Sequence, residues 1–206
     1  MLSTTTGAVN DAFIFIIAFC FLLFALIIFF TILFAVRYRR SRHPVAVDNP
    51  GSWRLEIAWI AAATVLVMIM FFYGLTGWSF LRVAPAGSLR VDVTARQWSW
   101  LFTYANGRKS TALVVPVGKD VALTLNSNDV IHGFFIPAYR IKQDTVPGMK
   151  THAWFNATSL GSADILCTQY CGQEHSRMLT QVFVVPEDTY AKWLSGEDVD
   201  IPGLTS

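Results

Sequence analysis

The spacing of hydrophobic positions changes its period once along the chain, near residue 85. Ahead of that point lie two runs without a charged side chain, 12–36 and 57–81. Each is about 25 residues, or roughly 37 Å as helix, enough to cross a ~30 Å hydrocarbon core with some tilt. The first run is too long for a signal-peptide core, and no basic stretch precedes it. A helical pair inside a soluble core would need amphipathic partners, and the pattern supplies none. Two membrane spans are therefore predicted. Arg37, Arg39, Arg40, Arg42 and His43 follow the first span and Arg54 precedes the second, whereas the first eleven residues hold no Lys or Arg. The positive-inside rule puts the connecting loop in the cytoplasm, with the N-terminus and everything after residue 81 outside.

Beyond residue 85 the period shortens to two. Leu89, Val91 and Val93 alternate with polar residues ahead of an aromatic stretch ending at Tyr104, and Asn106-Gly107 marks a hairpin turn. Short strands are predicted at 114–117 and 121–125, around Gly118, and again at 151–156, 162–166 and 179–185. A short helix over 187–194 should follow Pro186, with acids at its positive end, and 195–206 reads as a polar tail. Such strands suit a Greek-key sandwich or barrel. The expected organisation is a transmembrane helical hairpin over 1–84 and an external β domain over 85–206, large enough for its own core.

Composition sharpens this split. Of the 16 Lys/Arg, six precede residue 85 and ten follow; of the 14 Asp/Glu, three precede and eleven follow. The external part is thus nearly neutral, which predicts neither nucleic-acid binding nor strong steering of a charged partner. Cys20 lies among Phe and Ile in the first span, where a thiol behaves as a small apolar group. No small-residue cleavage signal precedes it, so lipidation is not expected.

The chemistry is concentrated in Leu166-Cys-Thr-Gln-Tyr-Cys-Gly-Gln-Glu-His-Ser-Arg-Met178. Cys167, Cys171, His175 and Met178 form a soft ligand set, which favours electron-transfer copper over magnesium, calcium or a hydrolytic metal. A mononuclear blue-copper site needs one Cys, and this loop has two, which can bridge a pair of coppers. A Cys167–Cys171 disulfide or a tetrahedral zinc site are the competing readings. A disulfide would not require His175 and Met178 at these offsets, and zinc does not normally take Met. Each copper needs a terminal nitrogen: His175 offers one and His132, in Asp129-Val-Ile-His132, is the candidate for the other. His43 sits in a basic run and His152 in a strand-like stretch without nearby sulfur, so both fit poorly.

With these residues together, the chain resembles cytochrome c oxidase subunit II of the haem-copper oxidase family. The resemblance runs over nearly the whole length. It rests on the double-cysteine loop, Asp129 to His132, Asp144-Thr-Val-Pro-Gly148, the aromatic run Gln97-Trp-Ser-Trp100 and the two apolar helices. It implies a cupredoxin barrel and a centre of two copper ions held by His132, Cys167, Cys171, His175, Met178 and the backbone carbonyl of Gln169. The residue between the cysteines is usually Glu in the family, where it also reaches a magnesium ion. Gln169 lacks that charge and is a weaker ligand for a hard cation, so magnesium is not expected. The resemblance marks Trp98 as the contact for cytochrome c, while Thr103 stands where an acidic docking residue is often found. Glu56 opens the second helix, where a carboxylate favours the helix dipole. A Glu followed three residues later by Trp59 also marks, in the family, the mouth of a proton path into the neighbouring catalytic subunit.

The implied role is that of the subunit that receives single electrons from cytochrome c and passes them to haem in catalytic subunit I, where oxygen reduction is coupled to proton movement. No Cys-x-x-Cys-His haem attachment motif is present, so the donor haem belongs to another polypeptide. Quinol oxidase subunits of this fold have lost the copper ligands, and nitrous oxide reductase is soluble with a second, larger domain. The alternatives left are the copper subunit of a nitric oxide reductase and a membrane-tethered copper carrier.

Overall fold

The computed structural model of the chain describes residues 3–45, 47–48 and 50–204. Contacts divide the chain into two compact units, Asn10–Thr76 and a second made of Met1–Val9 with Gly77–Ser206.

The helical unit is built on α1 (Thr4–Arg37) and α2 (Trp53–Arg82), each overrunning its predicted span at both ends. The polar residues that flank the apolar runs simply continue the helices. No residue in the most apolar stretch of either helix is buried. A core helix of a soluble protein would bury one face; these are apolar all round, which suits lipid as solvent. Threonine hydroxyls in the spans are satisfied locally, as hydrocarbon requires. Thr31 and Thr64 donate to the carbonyls of Ile27 and Ile60, four residues back, at 2.8 Å each. Phe15 and Tyr73 pack ring to ring across the two helices at 5.6 Å.

The second unit is a β-sandwich. Among the described residues its strands are β1 (Leu89–Arg96), β2 (Ser99–Tyr104), β3 (Lys109–Ser110), β4 (Leu113–Pro116), β5 (Asp120–Ser127), β6 (His132–Ile136), β7 (Ile141–Thr145), β8 (Thr151–Asn156), β9 (Gly161–Cys167) and β10 (Leu179–Val185). They form two five-stranded sheets, ordered β3-β2-β1-β5-β8 and β4-β10-β9-β6-β7. Pairing is antiparallel except β1 with β5 and β4 with β10. Alternation carries the core: Val91, Val93 and Ala95 of β1, Trp100, Phe102 and Tyr104 of β2, and Val121, Leu123 and Leu125 of β5 all point inward. Phe134 and Ile136 of β6 meet them from the other sheet, with Phe134 edge-on to Trp100 at 5.3 Å. The buried Tyr104 hydroxyl ties the sheets together. It accepts the Val114 N–H at 2.7 Å and donates to the Val114 carbonyl at 2.9 Å.

Asn106-Gly107 turns β2 into β3, with Gly107 at φ +87°. A short helix α3 (Glu187–Ser195) follows Pro186 and ends at Gly196, in the left-handed region at φ +96°. Two local expectations need correction. β6 and β7 were not predicted as strands; β6 is buried almost throughout and does not alternate, and in β7 Ile-Lys-Gln-Asp-Thr buries only its two ends. Residues 195–206 were expected to form a polar tail, yet Ile201 is buried and Leu204 packs on the core. Val199, Ile201 and Leu204 are spread among polar residues over too short a stretch to set a period, so their docking left little pattern to read.

Residues 3–5 and Phe80 belong to this unit and bond within it. Ser3 bridges to Ala157, and Thr5 donates to the Tyr139 carbonyl at 2.9 Å. At the end of α2, the Trp154 indole N–H donates to the Phe80 carbonyl at 3.1 Å.

Candidate metal centre

His132 is the first residue of β6 and is fully buried. The turn before it is organised by Asp129, whose Oδ1 accepts the Val130 N–H at 2.7 Å and contacts Nε2 of His132 at 2.8 Å. A carboxylate partner keeps the ring proton on Nε2 and leaves a lone pair on Nδ1. That nitrogen faces Cys167 Sγ, 3.9 Å away. Desolvation alone would push the Asp129 carboxyl up. Hydrogen bonds from His132 and from the Gln97 and Val130 N–H groups outweigh it and hold the group at about 2.

Cys167 closes β9, beside Phe134 of β6. The chain then leaves the sheet, and its first hydrogen bond runs from the Thr168 N–H to the Gly133 carbonyl at 3.0 Å. Gly133 is required by this approach. A Cβ there would run into the Thr168 side chain and come within 3.0 Å of the Gln169 nitrogen. The Gln169 carbonyl accepts from Cys167 Sγ at 3.3 Å, while its side-chain amide donates to Asp144 of β7 at 3.0 Å. Cys171 and Met178 are buried, and His175 opens a short 3₁₀ turn, His175–Arg177.

The two sulfurs stand 3.8 Å apart as free thiols. Cys171 Sγ has His175 Nδ1 at 3.5 Å and Met178 Sδ at 3.9 Å. His132, Cys167 and Cys171 converge so that their donor atoms all lie within 4.8 Å of one another. Thiolate bonds to a soft first-row metal are about 2.3 Å, so two sulfurs at this spacing can share a metal. Each sulfur also has an imidazole nitrogen beside it, and a thioether and a carbonyl complete the set. The donors thus fit copper chemically and by spacing. Burial pushes the Cys171 thiol up to about 11, helped by the neighbouring Cys167 and the charge on Asp129. A metal taking both sulfurs as thiolates must displace that proton.

Trp98 follows β1 and is half-buried against the same loop. Its indole N–H donates to the Cys171 carbonyl at 3.2 Å. The Gln97 side-chain amide donates to that same oxygen at 2.7 Å, and the Gln97 backbone N–H donates to Asp129 Oδ2 at 2.6 Å. Gly172, at φ +123°, permits this contact: a Cβ there would lie 3.1 Å from both Gln97 Nε2 and the Trp98 ring. The structure therefore gathers His132, Cys167, Gln169, Cys171, His175, Met178 and Trp98. Glu56 is exposed in the first turn of α2, in the helical unit. Reading by sequence did not single out Asp129, Gly133, Gly172 or the Gln97 side chain as parts of the site. One signal was available, an Asp three residues before a ligand His in a turn.

A family model described as the periplasmic domain of cytochrome c oxidase subunit II matches residues 108–185. An alternative cytochrome c oxidase subunit 2 of Bradyrhizobium diazoefficiens is 30% identical over 204 residues, covering 83% of this chain and 73% of that protein. A cytochrome c oxidase subunit 2 of Thermostichus vulcanus is 44% identical over 109 residues, covering 52% of this chain and 33% of that protein. The crystal structure of the periplasmic domain of subunit II of cytochrome oxidase of Bradyrhizobium japonicum superposes with a TM-score of 0.53 at 29% identity. That match covers 55% of this chain and 96% of the solved one. The expected cupredoxin architecture, preceded by two apolar helices, holds.

Proposed function

The chain belongs to the cytochrome c oxidase subunit II family, and from that membership we propose that it is the electron-accepting subunit of a membrane terminal oxidase, built around two copper ions. The observation that carries this is the pair of cysteine sulfurs 3.8 Å apart, with His132 Nδ1 beside one and His175 Nδ1 beside the other. When bound, the copper pair supplies one-electron redox chemistry at thiolate ligands.

The chain's residues make that chemistry fast and directional. Cys167, Cys171, His132 and His175 would hold the copper pair through their sulfur and nitrogen atoms, with Met178 and the Gln169 carbonyl as further donors. All are fixed by the ends of β6 and β9 and by the loop pinned at Gly133, so the ligands need little movement when the oxidation state changes. Met178 and His132 are fully buried and Cys171 nearly so, which shields that side of the ligand set from water, while Cys167, Gln169 and His175 are part-exposed. Trp98, hydrogen-bonded to Cys171, receives electrons from a cytochrome c docked outside. They leave toward haem in the catalytic subunit I of the complex, where oxygen is reduced. Glu56 opens the proton path into that subunit from the cytoplasmic side, where the basic 37–56 loop also lies. The spans sit in the lipid bilayer and the β domain faces the periplasm or its equivalent.

Metal analysis of the purified chain, combined with electron paramagnetic resonance, tests the reading. Two coppers per chain with one unpaired electron shared over both nuclei is expected. One copper, or an electron confined to one nucleus, would overturn it and favour the copper carrier. A terminal reaction with nitric oxide but not oxygen in the intact complex would instead assign the chain to a nitric oxide reductase.

A further inference from the structure

We propose that Gln97 is a positioning residue for electron acceptance: it fixes the Cys171 peptide so that the Trp98 indole is joined to a bridging cysteine through a single hydrogen bond. This rests on the two-copper reading above and goes beyond its ligand set. Gln97 uses both of its amide groups on the site. The backbone N–H reaches Asp129, which orients His132, and the side chain reaches the Cys171 carbonyl. One residue of the β1–β2 turn therefore cross-links the histidine segment to the cysteine loop.

The geometry assigns the side chain the dominant hold. Its bond to the Cys171 oxygen is 2.7 Å, against 3.2 Å from Trp98 to the same atom. Without Gln97 that carbonyl keeps one longer donor, and the loop at Gly172, which carries no side chain to wedge it, is free to rotate away. The connection at stake is short: indole ring, N–H to oxygen, then the Cys171 backbone and Cβ to its sulfur. One electron leaves a reduced haem protein, which is oxidised by one, and is taken up at the Cys171 end of the site. No bond is broken and no proton moves.

The test uses the detergent-purified oxidase complex and stopped-flow mixing with a reduced soluble c-type cytochrome over a range of concentrations. Gln97→Leu removes the donor. Gln97→Glu keeps the shape but, ionised at pH 7, cannot donate to the carbonyl. Both should retain two coppers and the wild-type copper resonance spectrum. Both should keep the half-saturating donor concentration while the limiting rate of copper reduction falls tenfold or more, toward the roughly hundredfold scale set by ångström misplacement. Combining Gln97→Leu with Trp98→Phe should slow the reaction no further than Trp98→Phe alone. An unchanged limiting rate in both variants would overturn the assignment. So would a loss expressed only as a higher half-saturating concentration, which would make Gln97 a docking group, or loss of copper from both variants, which would make it purely structural. A wild-type complex with fewer than two coppers would refute the underlying copper reading, before any variant is compared.

Discussion

Asp129 stands outside the proposed ligand set, yet it decides which nitrogen of His132 looks at Cys167. Asp129→Ala should therefore weaken copper binding about 10- to 100-fold, as loss of a partner behind a ligating His generally does. Competition against a chelator of known affinity measures this. Met178→Leu should be milder, retaining both coppers with a shifted reduction potential, because a thioether is a weak ligand. If Met178→Leu released the metal and Asp129→Ala did not, the roles assigned to the two side chains would be reversed. At this scale the proposed ligands were legible and their supports were not. Cys167, Cys171, His175 and Met178 fall within one short loop, where chemical softness and spacing can be read directly. Gln97, by contrast, stands 74 residues from the carbonyl it holds. Gly133 looks like any strand glycine until the Thr168 side chain arrives beside it.

Strands were easiest to read where one face is wet and the other dry. β5 alternates along its whole length and was anticipated nearly to its ends. β7 carries Lys, Gln and Asp in its middle because it lies at the edge of its sheet and its Asp144 serves the cysteine loop. The pairing of β2 with the opposite sheet through Tyr104 was equally hidden, since a core tyrosine and a surface one look alike in sequence. Tyr104→Phe should destabilise the metal-free protein by about 1–3 kcal/mol, the usual cost of stranding buried backbone partners. Both the N–H and the carbonyl of Val114 lose their bond to the hydroxyl. Denaturant titration followed by tryptophan fluorescence reads the change, and a midpoint identical to wild type would show that water replaces the hydroxyl.

For the whole molecule, charge and lipid set the terms of partnership. With ten Lys/Arg against eleven Asp/Glu after residue 84 and Thr103 on β2, reduction by cytochrome c should weaken only modestly with added salt. A steep loss between low and physiological ionic strength would reveal a charged docking patch. Glu56→Gln should lower steady-state turnover of the complex while copper content and the rate of copper reduction stay unchanged, because only a transferable proton is removed. Wild-type turnover would leave Glu56 as a favourable charge at a helix N-terminus and nothing more. The ties at the two ends of the helical sequence carry a further consequence, for biosynthesis. Thr5 bonds to a carbonyl 134 residues later in the chain, and Phe80 to an indole 74 residues later. Neither clasp has its counterpart when the spans first emerge from the ribosome. Membrane insertion must therefore proceed with both clasps open, and closure waits for translation of β8 and the residue after it. Closing so long a loop costs little more free energy than a shorter one but comes late. A nascent chain halted before residue 138 thus has both spans but neither of these hydrogen bonds, which form only as the β-sandwich is completed.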